Sequence, residues 1–459
     1  MPPWSRIFEE WHDYPLLDTL PTAAWYGQVD DELEALADRF FPSKKYGVIA
    51  NASADDTSAL AEWAAAASEF NNGGLAYLQS GIAMTSAQVD FTADSLTLKG
   101  AGICNNVRPG GSVIRARSDF SGENIVKVAH VDSDTTSLGA VIISDLSIDG
   151  YGGGSPFEDC NGLFWGVYRG IIRDIQVNRV QQVGLKVDGS GTPFLPWGAW
   201  DNMITNAYVA QTGSDGMQFI GGASDTMVTT CYVLANGGHS IYSEEPGNQF
   251  HGCYVGGCAG YGFYNISPQQ LRICGARIRE TNGGIYITNT TASGPFHISD
   301  VGIKNASQAA NNTTDGIVID PAFPLRGGTI ADITFNTNYE GTGNLMRYGV
   351  NIADANAIGV SVSGLTEGYV GGSAVFGTAI AAPDLGTNTI WDYGDLIQPN
   401  IGAKVRFGPS GPFISQGTGT PEGVVTAPVG SLFLRADGGV STTLYVKTSG
   451  VGNTGWTAK

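Results

Sequence analysis

The stretch that decides the fold consists of three similar lines: MVTTCYVLANGGHSIYSEEPGN (227–248), QFHGCYVGGCAGYGFYNISPQQL (249–271) and RICGARIRETNGGIYI (272–287). Val228, Phe250 and Ile273 occupy equivalent positions, so the repeats measure 22 and 23 residues, and the flanking repeats measure 24 and 25. Self-similarity at this period indicates a solenoid, in which each coil buries its apolar side only by stacking on the next coil.

Columns of apolar residues carry the repeat along the chain from Ile143 to Phe335. The first column contains Ile143, Ile172, Ile204, Val228, Phe250, Ile273, Ile298 and Ile330. Similar columns follow three residues on (Leu146 to Ile333) and five residues on (Ile148 to Phe335). A second strand supplies Leu185, Met217, Ile241, Phe263, Ile285 and Ile317, each behind a glycine or serine. Two short alternating strands per coil, without a helical pattern between them, predict an all-β fold, a right-handed parallel β-helix.

Composition and charge exclude several classes of function. The 459 residues include 65 glycines and only 15% charged residues, which suits tight turns, and one solenoid can occupy most of this length. The net charge of -19, with no basic stripe, argues against binding to nucleic acid or to an anionic membrane. No apolar stretch reaches the ~18 residues of a membrane span, and no signal peptide is visible. The six cysteines lack the spacing of a disulfide framework.

Three regions differ in composition. Residues 1–44 form an acidic, Trp-containing segment that is either a cap or a docking segment. Residues 45–372 contain the β-helix, and an alanine-rich helix after Asp55 or Asp56 is expected to close its first coil. Residues 373–426 are rich in Gly, Pro, Thr and Asn with scattered strands, and we expect them to form, with the last residues of the chain, a small β tip for trimerisation over 373–459. We expect subunit contacts there to bury Phe407, Phe413, Phe433 and Leu434.

Two sets of motifs resemble known proteins. The opening of the pectate-lyase-like β-helix superfamily is similar to Tyr46-Gly-Val, Asp55-Asp56-Thr57, Gly73-Gly74-Leu-Ala-Tyr-Leu and Leu96-Thr-Leu-Lys-Gly-Ala-Gly102. The segments from Ala427 to Lys459 resemble the C-terminal tail of phage and prophage tail fibres and spikes. Together these resemblances imply a homotrimeric tailspike, on a virion tail or outside cells, that degrades a bacterial surface polysaccharide. In that case residues 1–44 attach to a tail or baseplate protein, and no cofactor is implied.

The residues between the apolar columns face outward and form two tyrosine ladders on different faces. One ladder contains Tyr208, Tyr232 and Tyr254, with Arg277 next in the column, and the other contains Tyr242, Tyr264 and Tyr286. Such ladders are ordinary sheet surfaces, sugar-binding platforms or subunit interfaces. An oversized coil between Ile172 and Ile204 adds Trp197 and Trp200, which are expected to wall a groove or to clasp a neighbouring subunit.

Acidic residues supply a candidate catalytic centre. Asp215 and His239 share a column on neighbouring rungs, where a carboxylate is expected to raise the pKa of the imidazole and to orient it. Asp188 and Glu244 share another column two rungs (roughly 10 Å) apart, with Glu245 adjacent to Glu244. Two carboxyl groups about 6.5–9.5 Å apart suit an inverting glycosidase, and Asp215 or Glu245 can substitute in the pair. We therefore predict glycoside hydrolysis.

Motifs of one family of hydrolases are partly present, and two alternatives to hydrolysis also remain open. Gly213-Ser-Asp215-Gly, Gly238-His239-Ser and Arg277-Ile-Arg279 follow the motif order of polygalacturonases, but that family's Asp-Asp pair is missing, so its mechanism is not carried over. The first alternative to hydrolysis is a lyase, which needs a base and a cation that neutralises a uronate. His239 with Tyr242 or Tyr261 would supply the base, and Arg277 or Arg279 would supply the cation. A non-catalytic receptor-binding tail protein is the other alternative. No acidic cluster has the spacing of metal ligands.

Overall fold

The computed structural model describes residues 39–69, 73–92, 95–103, 110–129, 139–151, 157–190, 198–304, 314–336, 346, 349–354, 356–368, 380–381, 389–391, 404–406 and 411–459. Trp197 and nearly all of the predicted N-terminal segment (1–38 of 1–44) lie outside these residues.

A helix covers the first coils, as the alanine run predicts. Helix α1 spans Thr57–Ser68 and buries Leu60, Trp63, Ala64 and Ala67, which share one side of a helix. The Trp63 indole donates to the carbonyl oxygen of Phe41 at 2.7 Å and meets Phe91 edge-on. Asp56, the residue before the helix, is buried and accepts the backbone N–H of Ile49 at 2.7 Å. The helix is therefore tied to the strands that it covers.

Twenty-nine strands of the described chain form one sheet, in which neighbouring strands pair in parallel. They are β1 (Phe40–Pro42), β2 (Asn51–Asp55), β3 (Leu75–Tyr77), β4 (Gly81–Phe91), β5 (Thr97–Lys99), β6 (Ser112–Ala129), β7 (Ile142–Asp149), β8 (Asn161–Gly166), β9 (Ile171–Val180), β10 (Leu185–Asp188), β11 (Met203–Thr205), β12 (Tyr208–Thr212), β13 (Met217–Ile220), β14 (Met227–Thr229), β15 (Tyr232–Leu234), β16 (Ile241–Ser243), β17 (Gln249–His251), β18 (Tyr254–Gly256), β19 (Tyr261–Asn265), β20 (Arg272–Cys274), β21 (Arg277–Arg279), β22 (Gly283–Ile287), β23 (His297–Lys304), β24 (Ile317–Ile319), β25 (Leu325–Asn336), β26 (Val350–Ile352), β27 (Ala357–Gly368), β28 (Ile380–Ala381) and β29 (Thr389–Trp391). The parallel pairing thus extends from Phe40 to Trp391, beyond both ends of the predicted range 45–372. A short 3₁₀ helix, Ser43–Tyr46, follows β1.

The central coils have three strands each, so the prediction of two strands per coil was wrong there. Strands β11, β14, β17 and β20 stack as a first face, and β12, β15, β18 and β21 stack as a second face. Strands β8, β10, β13, β16, β19, β22, β24 and β26 form the third face. The chain pairs with itself one coil later on every face.

A left-handed residue at the corner between the first and second faces explains the extra strand. Two positions after the first apolar column, φ is positive in successive coils: Asp145, Asp174, Asn206, Thr230, Gly252, Gly275, Asp300, Asp332 and Gly364. Such a residue bends a strand, and Asp, Asn and Gly tolerate this conformation best. The bend also explains why apolar columns follow the first column by three and by five residues. In one alternating strand the inward residues would be separated by even numbers of residues.

The apolar columns fill the interior, as predicted. Every residue of the four columns is at most 2% exposed, and the column pairs are in register. Cys231 and Cys253 are buried among them as free thiols. A glycine or serine is needed before each third-face strand because the backbone at that position passes close to the side chains of the second face. A side chain added at Gly216 would meet Val233 at 2.2 Å.

A separate five-stranded sheet follows in the C-terminal part. It consists of β30 (Lys404–Arg406), β31 (Phe413–Gly417), β32 (Leu432–Arg435), β33 (Leu444–Lys447) and β34 (Trp456–Ala458). Phe413 and Phe433 are buried within this sheet's own core beside Trp456, whereas Leu434 is exposed. The expectation that subunit contacts bury these residues was therefore wrong for Phe413 and Phe433, and Phe407 lies outside the described residues.

Candidate active site on the third face

The third face carries the tyrosine ladder of Tyr242, Tyr264 and Tyr286. These residues pair in register on β16, β19 and β22, and Gln218 and Lys186 precede them in the column. The Tyr264 ring lies between the other two, with centroid distances of 5.8 Å to Tyr242 and 5.0 Å to Tyr286 and interplanar angles of 11° and 4°. The neighbours therefore cover both flat sides of Tyr264. A sugar approaching this part of the face meets ring edges and hydroxyl groups, rather than the open flat surfaces that stacking requires.

Acidic residues lie where the third-face strands end. Glu244 follows β16, and its Oε2 accepts the hydroxyl of Tyr242 at 3.1 Å. Next to it, Glu245 accepts the backbone N–H of Gly222 at 2.7 Å. Burial raises the pKa of the Glu245 carboxyl, the Gly222 bond opposes this, and the charges of Glu244 and Asp188 raise it further. Three of the predicted carboxyl groups thus interact at one edge of the face.

Asp188 is the most constrained of the three. It is buried, pairs with the Nζ of Lys186 at 3.4 Å, and accepts the backbone N–H of Ser190 at 2.8 Å. The Ser190 hydroxyl donates to the same oxygen, Oδ1. Asp188 aligns with Ile220, and the next strand continues that column to Glu244, so the two acids are two rungs apart as predicted. These bonds suit Asp188 to a supporting charge.

His239 and Asp215 lie at the opposite edge, where the third-face strands begin. Asp215 Oδ1 accepts the backbone N–H of His239 at 2.7 Å, so the carboxylate contacts the backbone in this position. Nδ1 of His239 accepts the backbone N–H of Tyr261 at 3.0 Å, and the imidazole stacks on Tyr264 at 4.4 Å. Burial lowers the pKa of His239, and the Asp215 charge only partly opposes this. The Asp215 charge therefore acts on the pKa of His239 in the expected direction, but desolvation is the larger effect, so the expected net rise was wrong.

The remaining predicted residues lie elsewhere. Tyr208, Tyr232, Tyr254 and Arg277 align in register on the second face. Tyr208 is 38% exposed and Tyr232 is 48% exposed, and their rings are 6.5 Å apart. Trp200 contacts Tyr168 at 4.8 Å, next to the Arg169–Asp201 ion pair. The ladder of Tyr208, Tyr232 and Tyr254 therefore does not form one surface with the acids.

The candidate base and the candidate cations of a lyase lie on different faces. Arg277 and Arg279 belong to β21 on the second face, whereas His239 and Tyr242 belong to the third face. Burial and Glu244 raise the pKa of Tyr242 to about 12, which makes its phenolate a poorly populated base near neutral pH. Nor does any group of three or more His, Cys, Asp or Glu residues in the described chain have the geometry to hold a metal ion.

Sequence reasoning missed Asp320, which follows β24. Its Oδ2 accepts the hydroxyl of Tyr286 at 2.7 Å. The signal was present, since Asp188 and Glu244 each stand four residues after the small-residue column, and Asp320 stands four residues after Gly316. The same edge of the third face therefore carries acidic residues on three different rungs.

Comparisons with known proteins agree with this architecture. Residues 163–321 match the family model for a right-handed β-helix region. No curated protein sequence matches the chain. No described helix is long and apolar enough to cross a membrane.

Several solved structures share the fold. ORF18 of Geobacillus virus E2 is 16% identical with a TM-score of 0.54, over 94% of this chain and 77% of that chain. DFA-IIIase from Arthrobacter chlorophenolicus A6, without its lid, is 13% identical with a TM-score of 0.54, over 78% and 100%. The Dettilon tailspike protein is 12% identical with a TM-score of 0.52, over 79% and 70%. Such identities establish the fold and leave the function to be argued from the site. The chain is a right-handed parallel β-helix protein, as its apolar columns predict.

Proposed function

We propose that the protein is a tailspike-type depolymerase that cleaves a bacterial surface polysaccharide by hydrolysis on its third face. The observation that carries this proposal is the neighbouring pair Glu244 and Glu245, at the edge of a tyrosine ladder. Burial and two nearby negative charges favour the protonated form of Glu245, while Glu244 is oriented by the hydroxyl of Tyr242. Glycoside hydrolysis by an activated water uses one protonated and one ionised carboxyl group on opposite sides of the scissile bond, and we assign Glu245 and Glu244 to these two roles.

In the proposed reaction Glu245 is the general acid. It transfers its proton to the glycosidic oxygen as the bond between that oxygen and the anomeric carbon breaks. Glu244 removes a proton from a water molecule, whose oxygen bonds to the anomeric carbon. Asp188 contributes a negative charge that helps to keep Glu245 protonated, and Lys186 holds Asp188 in place. The reaction consumes one water molecule and breaks one glycosidic bond.

The tailspike assignment has support from two sides. The C-terminal motifs resemble phage tail proteins, and the Dettilon tailspike protein and a protein of Geobacillus virus E2 have the same fold. DFA-IIIase, whose name denotes an enzyme, has this fold too.

We extend the proposal to a homotrimer on a virion tail or outside cells, with residues 1–44 as the attachment to a tail or baseplate protein. Light scattering of the purified chain tests the trimer, for which a monomer mass would be contrary evidence.

The test of the function is incubation with a panel of purified capsular polysaccharides, O-antigens and cell-wall glycans. We expect new reducing ends from at least one of them, without the ultraviolet absorbance of unsaturated ends. Unsaturated ends would identify a lyase instead. Binding of a glycan without any cleavage would identify a receptor-binding protein.

A further inference from the structure

The pair Tyr286–Asp320 repeats, farther along the third face, the contact that Tyr242 makes with Glu244. In both pairs a ladder tyrosine donates its hydroxyl to a carboxylate at the same edge, at 3.1 Å for Glu244 and 2.7 Å for Asp320. Three successive strand pairings connect β16 to β24 through β19 and β22, which places Asp320 about 14 Å from Glu244 along the axis.

The backbone holds Asp320 firmly at this edge. Its N–H donates to the carbonyl oxygen of Ile287 at 2.9 Å, which continues the ladder between β22 and β24 by one residue. Pro321 follows and restricts the chain after it. Because the residue is held in this way, a partner of its carboxylate would bind without first having to order the chain.

The remaining hydrogen-bonding capacity of the pair faces solvent. Asp320 is partly exposed, and its Oδ1 makes no hydrogen bond to any described residue, while Oδ2 is taken by Tyr286. Burial and the bond to Asp320 raise the pKa of the Tyr286 phenol, so it keeps its proton and remains the donor in this pair. A free carboxylate oxygen accepts hydrogen bonds from hydroxyl groups or amide N–H groups, which are abundant on sugars.

The tyrosine ladder links the two pairs and stops at this point. Tyr242, Tyr264 and Tyr286 form an unbroken stack, and Val318, only 6% exposed, takes the next place in the column. The Tyr264 hydroxyl, between the two pairs, makes no hydrogen bond to a described residue. A polar strip therefore runs along the axis, with a carboxylate near each end and a free hydroxyl between them.

We propose that Tyr286 and Asp320 form a distal subsite for the same glycan chain that is cleaved at Glu244 and Glu245. This inference rests on the proposed function. The subsite takes a sugar unit through its hydroxyl or amide N–H groups, several units away from the bond that breaks. It contributes to binding of long chains and takes no part in the chemistry.

The experiment compares Asp320→Asn and Tyr286→Phe with the wild-type chain. The substrate is the polysaccharide from the panel that the wild type cleaves, separated by size into long fragments and fragments too short to bridge about 14 Å. We expect kcat/KM for the long fragments to fall about tenfold or more, as for a lost hydrogen bond to a charged group. We expect kcat at saturation, and the kinetics on short fragments, to stay unchanged.

Asp300→Asn is the matched control, because Asp300 is an exposed acid at a corner between the first and second faces. It should leave both fragment classes unaffected. Equal losses of kcat/KM on long and short fragments, or no loss on either, would overturn the subsite. Thermal unfolding midpoints equal to that of the wild type would show that a loss does not come from misfolding of the variant. If the wild type cleaves no polysaccharide, the proposed function fails and the subsite fails with it.

Discussion

Tyr261 donates its backbone N–H to Nδ1 of His239 over 3.0 Å, and this hydrogen bond fixes which nitrogen of the imidazole carries the proton. An accepting Nδ1 has no proton, so the neutral ring carries its proton on Nε2. Protonation of Nδ1 would remove the bond to Tyr261, and burial already lowers the pKa of the ring. His239 is therefore suited to donate a hydrogen bond and is poorly suited to exchange protons.

Nuclear magnetic resonance of ¹⁵N-labelled histidine tests this tautomer. The chain has only five histidines, and His239→Asn identifies the signal of His239 by its disappearance. We expect the Nε2-protonated neutral form at neutral pH, with protonation only below the usual histidine pKa of about 6.5. A ring that is doubly protonated at neutral pH, or protonated on Nδ1, would contradict the geometry.

The same lowered pKa predicts how His239 affects stability. Between its folded and unfolded pKa values, the unfolded chain binds the proton and the folded chain does not. The free energy of unfolding therefore falls as the pH is lowered through about 6.5. Chemical denaturation at several pH values measures this, and the wild type should lose more stability on acidification than His239→Asn does. Parallel curves for the two proteins would rule out the linkage.

Glu245→Gln tests the proposed general acid. We expect kcat to fall by about 10²–10⁴, the usual contribution of acid–base catalysis, and Glu244→Gln to lose a similar factor. Because Glu245 must be protonated, the wild-type rate should also decline as the pH rises through its raised pKa. Glu280→Gln removes an exposed carboxylate beside Arg279, at the end of a second-face strand, and serves as the control. Retained turnover in Glu245→Gln would remove this residue from the mechanism.

The second-face tyrosines are separable from catalysis. Tyr232 lies between Tyr208 and Tyr254 on a different face from Glu244, at centroid distances of 6.5 Å and 5.8 Å. We expect Tyr232→Ala to leave kcat on short fragments within about twofold of the wild type, whether its ladder binds glycan or another subunit. Initial-rate assays check this. A loss as large as that of Glu244→Gln would show that the reaction takes place on the second face.

The capping helix should contribute strongly to stability. Trp63 is fully buried, packs edge-on against Phe91 and donates to the carbonyl oxygen of Phe41. Trp63→Ala should lower the free energy of unfolding by about 3–5 kcal/mol, the usual cost of deleting a buried aromatic ring. Glu62→Ala, one residue away and exposed, should change it by less than about 0.5 kcal/mol. Similar denaturation midpoints for both variants would mean that the helix does not stabilise the coils.

The sequence predicts the interior well because burial acts on every coil in the same way. The columns of Ile143 and its equivalents are in register, and so are both tyrosine ladders. The third strand per coil was missed because the corner position accepts Asp, Asn, Thr and Gly, and so has no single letter as its signature.

The site was less predictable for a related reason. Column positions bring Asp215 and His239 to neighbouring rungs, but they do not say which atoms meet. The contact runs from the Asp215 carboxylate to a backbone N–H, and the imidazole turns toward Tyr261 and Tyr264. Side-chain rotamers and desolvation decide such contacts, and neither is visible in a column of letters.

A crystal structure of Glu245→Gln with an oligosaccharide from the cleaved polysaccharide tests the central claim most directly. The account predicts a glycan on the third face, with a glycosidic oxygen within hydrogen-bonding distance of residue 245 and a sugar hydroxyl on Asp320. A glycan bound along Tyr208, Tyr232 and Tyr254 on the second face, with the third face empty, would contradict it.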